Sequence, residues 1–146
     1  GSEMCIRDRS KDVSEKSIKG MHVLLAEDNE LNMEIAEFLL QNEGAEVTKA
    51  WNGQEIVELF RKSESGEFDV ILMDIMMPII NGYEAAKRIR SLDREDAKKI
   101  PIIAMTANAF TEDRIRAKEA GMDEHVAKPI DVELLIKVIH KLVKHN

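Results

Sequence analysis

Cysteine is nearly absent from this chain: Cys5 is the single thiol, so neither an internal disulfide framework nor a cysteine-held zinc site can form. Reducing, cytoplasmic surroundings fit that composition. Long hydrophobic runs are missing too. The longest apolar stretch, around Ile100 to Phe110, falls far short of the roughly 20 residues that span a bilayer, and the N-terminus lacks the apolar centre of a signal peptide. Positive charge is in deficit, with 21 Lys plus Arg against 28 Asp plus Glu and a net charge of −7. That balance opposes the counterion release that draws proteins to nucleic acid or anionic lipid, so neither nucleic acid nor a membrane is an expected direct partner. A glycine-rich phosphate cradle is also absent. The first apolar run leads into Glu27-Asp28-Asn29 instead of GxxxxGK or GxGxxG, which argues against a nucleotide-binding loop.

What is present suffices for a core. Apolar residues make up 44 % and charged residues 34 % of 146, the balance of one soluble globular domain with a tail. Gly1 to Lys19 follow neither a 2.0 nor a 3.6 period and read as a tail or linker, leaving residues 20–146 as the folded domain. From Met21 onward, short apolar runs alternate with longer amphipathic stretches in five units. This is the pattern of an α/β protein, a doubly wound parallel sheet covered on both faces.

The first strand is Val23 to Ala26, followed by a helix with Leu31, Ile35, Phe38 and Leu39 at i, i+4, i+7 and i+8 and a Gly44 stop. Ala45 to Ala50 alternates as an edge strand does. Asn52 with Glu55, and Asn81 with Glu84, have the spacing of capping boxes that open the second and third helices. Val70 to Met73 is continuously apolar, as a central parallel strand is, and stops at Asp74. Ile100 to Met105 reads as the fourth strand, His125 to Ala127 as the fifth. Thr111 is expected to cap the fourth helix and Asp131 the last, whose stripe is Val132, Leu135, Ile136, Ile139, Leu142 and Val143.

Open parallel sheets bind ligands beyond the carboxyl ends of their strands. The residues there are Glu27 and Asp28 after the first strand, Asp74 after the third, Thr106 after the fourth and Lys128 after the fifth. Three converging acids repel one another unless a hard divalent cation with oxygen ligands stabilises them ionised, which implies Mg²⁺ or a close substitute such as Mn²⁺. Mg²⁺ keeps several waters and favours one or two carboxylates plus phosphate, so a phosphate group is the natural missing ligand. Lys128 offers it a point charge, Thr106 a hydrogen bond, and Asp74 a carboxylate nucleophile that would form an acyl phosphate. Each residue alone has a structural explanation; their joint placement at successive strand ends is the informative signal.

With those residues placed, the sequence resembles the receiver domain of two-component response regulators. The likeness rests on VLLAEDNELN (23–32), ILMDIMMPIINGYE (71–84), IIAMTANA (102–109) and HVAKPID (125–131). It implies a flavodoxin-like (βα)5 fold with strand order 2-1-3-4-5 and phosphorylation of Asp74 by a histidine kinase or histidine phosphotransfer protein. By the same likeness, Glu27, Asp28, Asp74 and the Met76 backbone carbonyl would bind Mg²⁺. Thr106, the Ala107 backbone and Lys128 would contact the phosphoryl oxygens, and the Lys128–Pro129 bond would be cis. A receiver of this kind is not a turnover enzyme, though it catalyses its own phosphotransfer and dephosphorylation.

The resemblance further implies a switch in which Thr106 moves toward the phosphoryl group while an aromatic on the fifth strand turns inward. That remodels the face of the fourth helix, fifth strand and fifth helix, through which two copies could also pair. Here His125 holds the aromatic position, a departure that leaves this propagation step open. Met76 and Asn108 hold the positions that tune phosphoryl lifetime, and neither is an acid or base, so water gets little general-base help and the acyl phosphate is not expected to be especially short-lived. The AEDNELN and MTANA stretches look most like receivers of hybrid sensor kinases. Two alternatives remain: a receiver-like interaction module that is never phosphorylated, and an Asp-nucleophile phosphatase. The phosphatase would want an acid where Met76 stands.

Overall fold

The computed structural model describes residues 18–107 and 111–144. In chain order the elements are β1 (His22–Ala26), α1 (Glu30–Asn42), β2 (Glu46–Ala50), α2 (Gly53–Lys62) and β3 (Val70–Asp74). There follow α3 (Gly82–Arg90), α4 (Glu95–Lys99), β4 (Ile102–Thr106), α5 (Thr111–Glu119), β5 (Glu124–Ala127) and α6 (Val132–Lys144). The strands form one parallel sheet in the order β2-β1-β3-β4-β5. This is the expected doubly wound arrangement. The short helix α4 was not expected, so the fourth and fifth helices of the sequence reading are α5 and α6.

Period-two alternation divides the strand side chains between two cores. On β3, Ile71 and Met73 join a layer with Ile56 and Phe60 of α2 and Ala85, Ala86 and Ile89 of α3. Val70 and Leu72 face the other way, against Met33, Ala36 and Leu40 of α1 and Leu135 and Ile139 of α6. All five residues of β3 and all five of β4 are buried, whereas β2 at the sheet edge keeps an exposed face. Ile18 is fully buried in the α1–α6 layer, so packing already begins within the segment set aside as a tail.

The structure corrects the reading of α1. Leu31 and Phe38 are 65 % and 67 % exposed, Ile35 is also exposed, and the buried face is Met33, Ala36 and Leu40. Two apolar stripes share this helix, and the sheet takes the one with the smaller residues. On α6 the expected stripe holds for Leu135 and Ile139, with Ile136 and Leu142 packed beside them, while Val143 is exposed. β4 begins at Ile102 instead of Ile100, because Pro101 has no N–H to donate to the ladder; its carbonyl accepts from Ile71 N at 2.9 Å.

The helix caps are local. Asn29, Asn52 and Asn81 accept from the backbone N–H groups of Asn32, Glu55 and Glu84 at 2.8 to 2.9 Å. Glu55 reaches back to Trp51 N at 2.7 Å, but Glu84 does not complete a box: its carboxylate pairs with Arg88, one turn on. Asp131 accepts from Glu133 N and Leu134 N, as expected of a cap on α6. Arg90 and Arg94 tie the α3–α4 corner to its surroundings. Arg90 donates to the Gly121 and Ala97 carbonyls and to Asp123, and Arg94 donates to the Phe60 and Ser63 carbonyls and to both oxygens of Asp96.

Candidate functional site

The register of the parallel strands assembles the site. Ala26 pairs with Met73, so Glu27 and Asp74 stand level at the ends of adjacent strands. Asp74 pairs with Met105 and Thr106 with Ala127, which sets Thr106 and then Lys128 each one residue further along the rim. A 2.8 Å hydrogen bond from Lys128 N to the Thr106 carbonyl ties the last two together. The Lys128–Pro129 peptide is cis, as the resemblance implied.

At this rim, carboxylate oxygens of Glu27, Asp28 and Asp74 all lie within 4.8 Å of one another. Glu27 and Asp74 are buried, at 3 % and 2 % exposure, whereas Asp28 faces solvent. Lys128 Nζ bridges the buried pair, 2.9 Å from Glu27 Oε1 and 3.0 Å from Asp74 Oδ2. Burial alone would push the lysine's pKa down, but the hydrogen bonds and charges of Glu27 and Asp74 outweigh it and hold the ammonium above its ordinary value. The local charge is three negative against one positive, −3 + 1 = −2. A divalent cation beside Asp28 would bring the group to neutrality, so the donor set fits a hard, oxygen-ligated dication.

Backbone groups hold the acids in place. Glu27 Oε2 accepts from Asn29 N at 3.1 Å, and Asp74 Oδ1 accepts from Met76 N at 3.3 Å. Thr106 is buried at the end of β4, and Ala107 after it is exposed at the rim. His125 pairs with Ala104, below the rim, and stands apart from the acids. It lines a groove of about 430 Å³ with Arg114 and Lys118 of α5 and Lys141 of α6, its Nδ1 3.5 Å from Glu124 Oε1. Asn108 lies outside the described residues.

One further residue positions the site. Gly82 is the first residue of α3 and has no unusual φ. Its role is close approach: a Cβ there would sit 2.6 Å from the Asp74 carbonyl oxygen and 2.8 Å from Ile75 Cα. Gly82 N donates to the Ile75 carbonyl at 2.8 Å, drawing the helix start against the end of β3. The Asn-Gly pair beyond Asp74 was the available signal.

The family model of the response regulator receiver domain matches residues 23–140. The chain belongs to this family. Among solved structures, it is 34 % identical to the receiver domain of a sensor histidine kinase from Pseudomonas aeruginosa, with a TM-score of 0.76 over 86 % of this chain and 98 % of that one. That structure holds a magnesium ion in its active-site cleft. Another similar structure is the co-crystal of a Saccharomyces cerevisiae histidine phosphotransfer signalling protein with the receiver domain of its downstream response regulator. There the identity is 28 % and the TM-score 0.74, over 86 % of this chain and 90 % of that one. A hybrid signal transduction histidine kinase of Dictyostelium discoideum is 40 % identical over 120 residues. The match takes in 81 % of this receiver and 7 % of the kinase, so the receiver spans a small part of that relative's length.

Proposed function

We propose that Asp74 of this receiver accepts a phosphoryl group from a phosphohistidine in a phosphorelay. An Asp74 carboxylate oxygen attacks phosphorus, the nitrogen–phosphorus bond breaks, and its electron pair returns to the donor imidazole, leaving an acyl phosphate. Mg²⁺, or Mn²⁺ in its place, would be held by Glu27, Asp28, Asp74 and the Met76 carbonyl and would supply charge neutralisation. Thr106, the Ala107 N–H and Lys128 would hold the phosphoryl oxygens. The observation that carries this reading is the Lys128 bridge between buried Glu27 and Asp74 with Asp28 at its side. A fold has no need of such a cluster at its rim, and burying it without a ligand to neutralise is costly.

A protein donor suits the surroundings better than a small phosphate ester. The exposed stripe of Leu31, Ile35 and Phe38 runs along α1, which starts three residues after Glu27. A small apolar pocket between Ile35, Pro129 and Ile130 opens beside Lys128. Exposed apolar surface of this kind next to a reactive group marks a docking face. Together with the likeness to a receiver crystallised with a phosphotransfer protein, it supports a histidine kinase or histidine phosphotransfer protein as partner. The relatives support a hybrid histidine kinase as the parent protein, and the single-thiol composition favours cytoplasmic surroundings for this receiver. Among the described residues no helix is long and apolar enough to cross a membrane.

Intact-mass measurement after incubation with acetyl phosphate tests the reading. We expect one phosphoryl adduct that requires Mg²⁺ and is absent from Asp74→Ala. Mg²⁺ binding without an adduct would favour a pure interaction module, and steady turnover of phosphate esters a phosphatase. Decay of the adduct in Met76→Asn and Asn108→Glu proteins tests the lifetime expectation, since added polar or acidic side chains should shorten it.

A further inference from the structure

We propose that Met76 is a reversible oxidation site through which peroxide shortens the life of the phosphorylated receiver. Met76 is 76 % exposed, while Met33, Met73, Met77, Met105 and Met122 are all buried and Met21 is half-buried. An oxidant in solution therefore meets one fully accessible thioether among the described residues, and oxidation follows access. This thioether belongs to the residue whose N–H donates to Asp74 Oδ1, two positions from the nucleophile. Its neighbour on the same loop, Ile79, is likewise exposed, at a left-handed φ of 71°. The loop beyond Asp74 thus turns two apolar side chains, Met76 and Ile79, to solvent.

The chemistry is self-contained. The sulfur lone pair attacks one peroxide oxygen, the oxygen–oxygen bond breaks, the sulfur loses two electrons to become a sulfoxide, and the other oxygen takes up the transferred oxygen's proton and leaves as water or an alcohol. The product is a polar side chain with a strong hydrogen-bond acceptor where an apolar one stood. That acceptor can orient a water beside the acyl phosphate. The water attacks phosphorus, the bond from phosphorus to the Asp74 oxygen breaks, and inorganic phosphate leaves as the carboxylate is restored. The sulfoxide takes no proton; it orients the attacking water. Methionine sulfoxide reductase reverses the change and makes the site a switch. The effect on lifetime rests on Asp74 being the phosphoacceptor; the selectivity of oxidation does not.

The test uses the full chain carrying Met4→Leu, exposed to graded hydrogen peroxide, with peptide mapping of added oxygen and, separately, the decay of the acetyl-phosphate-derived adduct. Oxygen is expected at Met76 before any other methionine. Adduct decay should then become severalfold faster, recover after reductase treatment, and not respond to peroxide in Met76→Leu. Oxygen appearing first at another methionine overturns the site, and a decay rate indifferent to oxidation overturns the switch. If the untreated receiver forms no adduct, the phosphoacceptor reading and the switch fall together, while the oxygen map still decides whether Met76 is the oxidation site.

Discussion

Among the described residues Lys128 is the one cation that contacts two buried acids at the rim, so its removal reports directly on the site's electrostatics. Breaking a fully buried pair costs about 3–5 kcal/mol, and because Lys128 is 23 % exposed we expect Lys128→Met to cost less, on the order of 2 kcal/mol at neutral pH. Its pKa is raised in the folded state, so the stabilisation is present in full below the lysine's ordinary value and is lost as pH climbs through the raised one. The gap between wild type and Lys128→Met should therefore be constant from neutral pH to about 10 and narrow above it. Urea unfolding midpoints across that range measure it, and a gap that widens in alkali would contradict the pairing. The same residue shows how much of the site was legible. Glu27, Asp28, Asp74, Thr106 and Lys128 could be read from the sequence because each follows an apolar run that must be a strand, and parallel strands bring their ends together. Gly82 was only half-legible, since an approach of 2.6 Å to a backbone oxygen is a fact of packing that a turn-like dipeptide does not specify.

At the scale of elements, α1 separates what periodicity can tell from what it cannot. Leu31, Ile35 and Phe38 form a true helical stripe, and so do Met33, Ala36 and Leu40. Periodicity established the helix but left two faces to choose between, and the sheet decided. Ala36 lets α1 lie close to the strands, and Leu40 is fully buried against them. Leu40→Ala is expected to destabilise by about 2–5 kcal/mol, the ordinary cost of a large-to-small change in a packed core. Leu31→Gln with Phe38→Gln should shift stability by less than about 1 kcal/mol, because neither side chain is buried. If the stripe docks a phosphodonor, the double variant will keep its rate with acetyl phosphate and lose rate with a phosphohistidine protein. Thermal melts and the two transfer assays separate these effects, and a large loss of stability in the double variant would mean that the stripe belongs to the core after all. Helix α4 escaped the sequence reading for a different reason. It is one turn of charged residues with a single buried side chain, Ala97, and is tied down by Arg90 and Arg94 from outside itself.

For the whole molecule, the net charge of −7 complicates any metal experiment, because every added cation screens the repulsion of a strongly acidic chain. A gain in stability with Mg²⁺ is therefore not in itself evidence of a site. The two causes differ in their dependence on the rim. Screening acts on the total charge and should respond equally to a monovalent salt at matched ionic strength, whereas site binding follows RT ln(1 + [L]/Kd) and needs the three acids together. At a hundredfold excess over Kd the site contributes about 2.7 kcal/mol, a rise in Tm of roughly 10 °C for a domain of this size. We expect wild type to show this rise with Mg²⁺ beyond that given by NaCl at equal ionic strength. Asp28→Asn should lose the excess while keeping the NaCl response, since it removes one ligand from the exposed side of the cluster and alters the total charge by only one unit. Differential scanning calorimetry distinguishes the cases: an equal response to the two salts in wild type would reduce the cluster to general acidity and remove the metal from the proposed phosphotransfer.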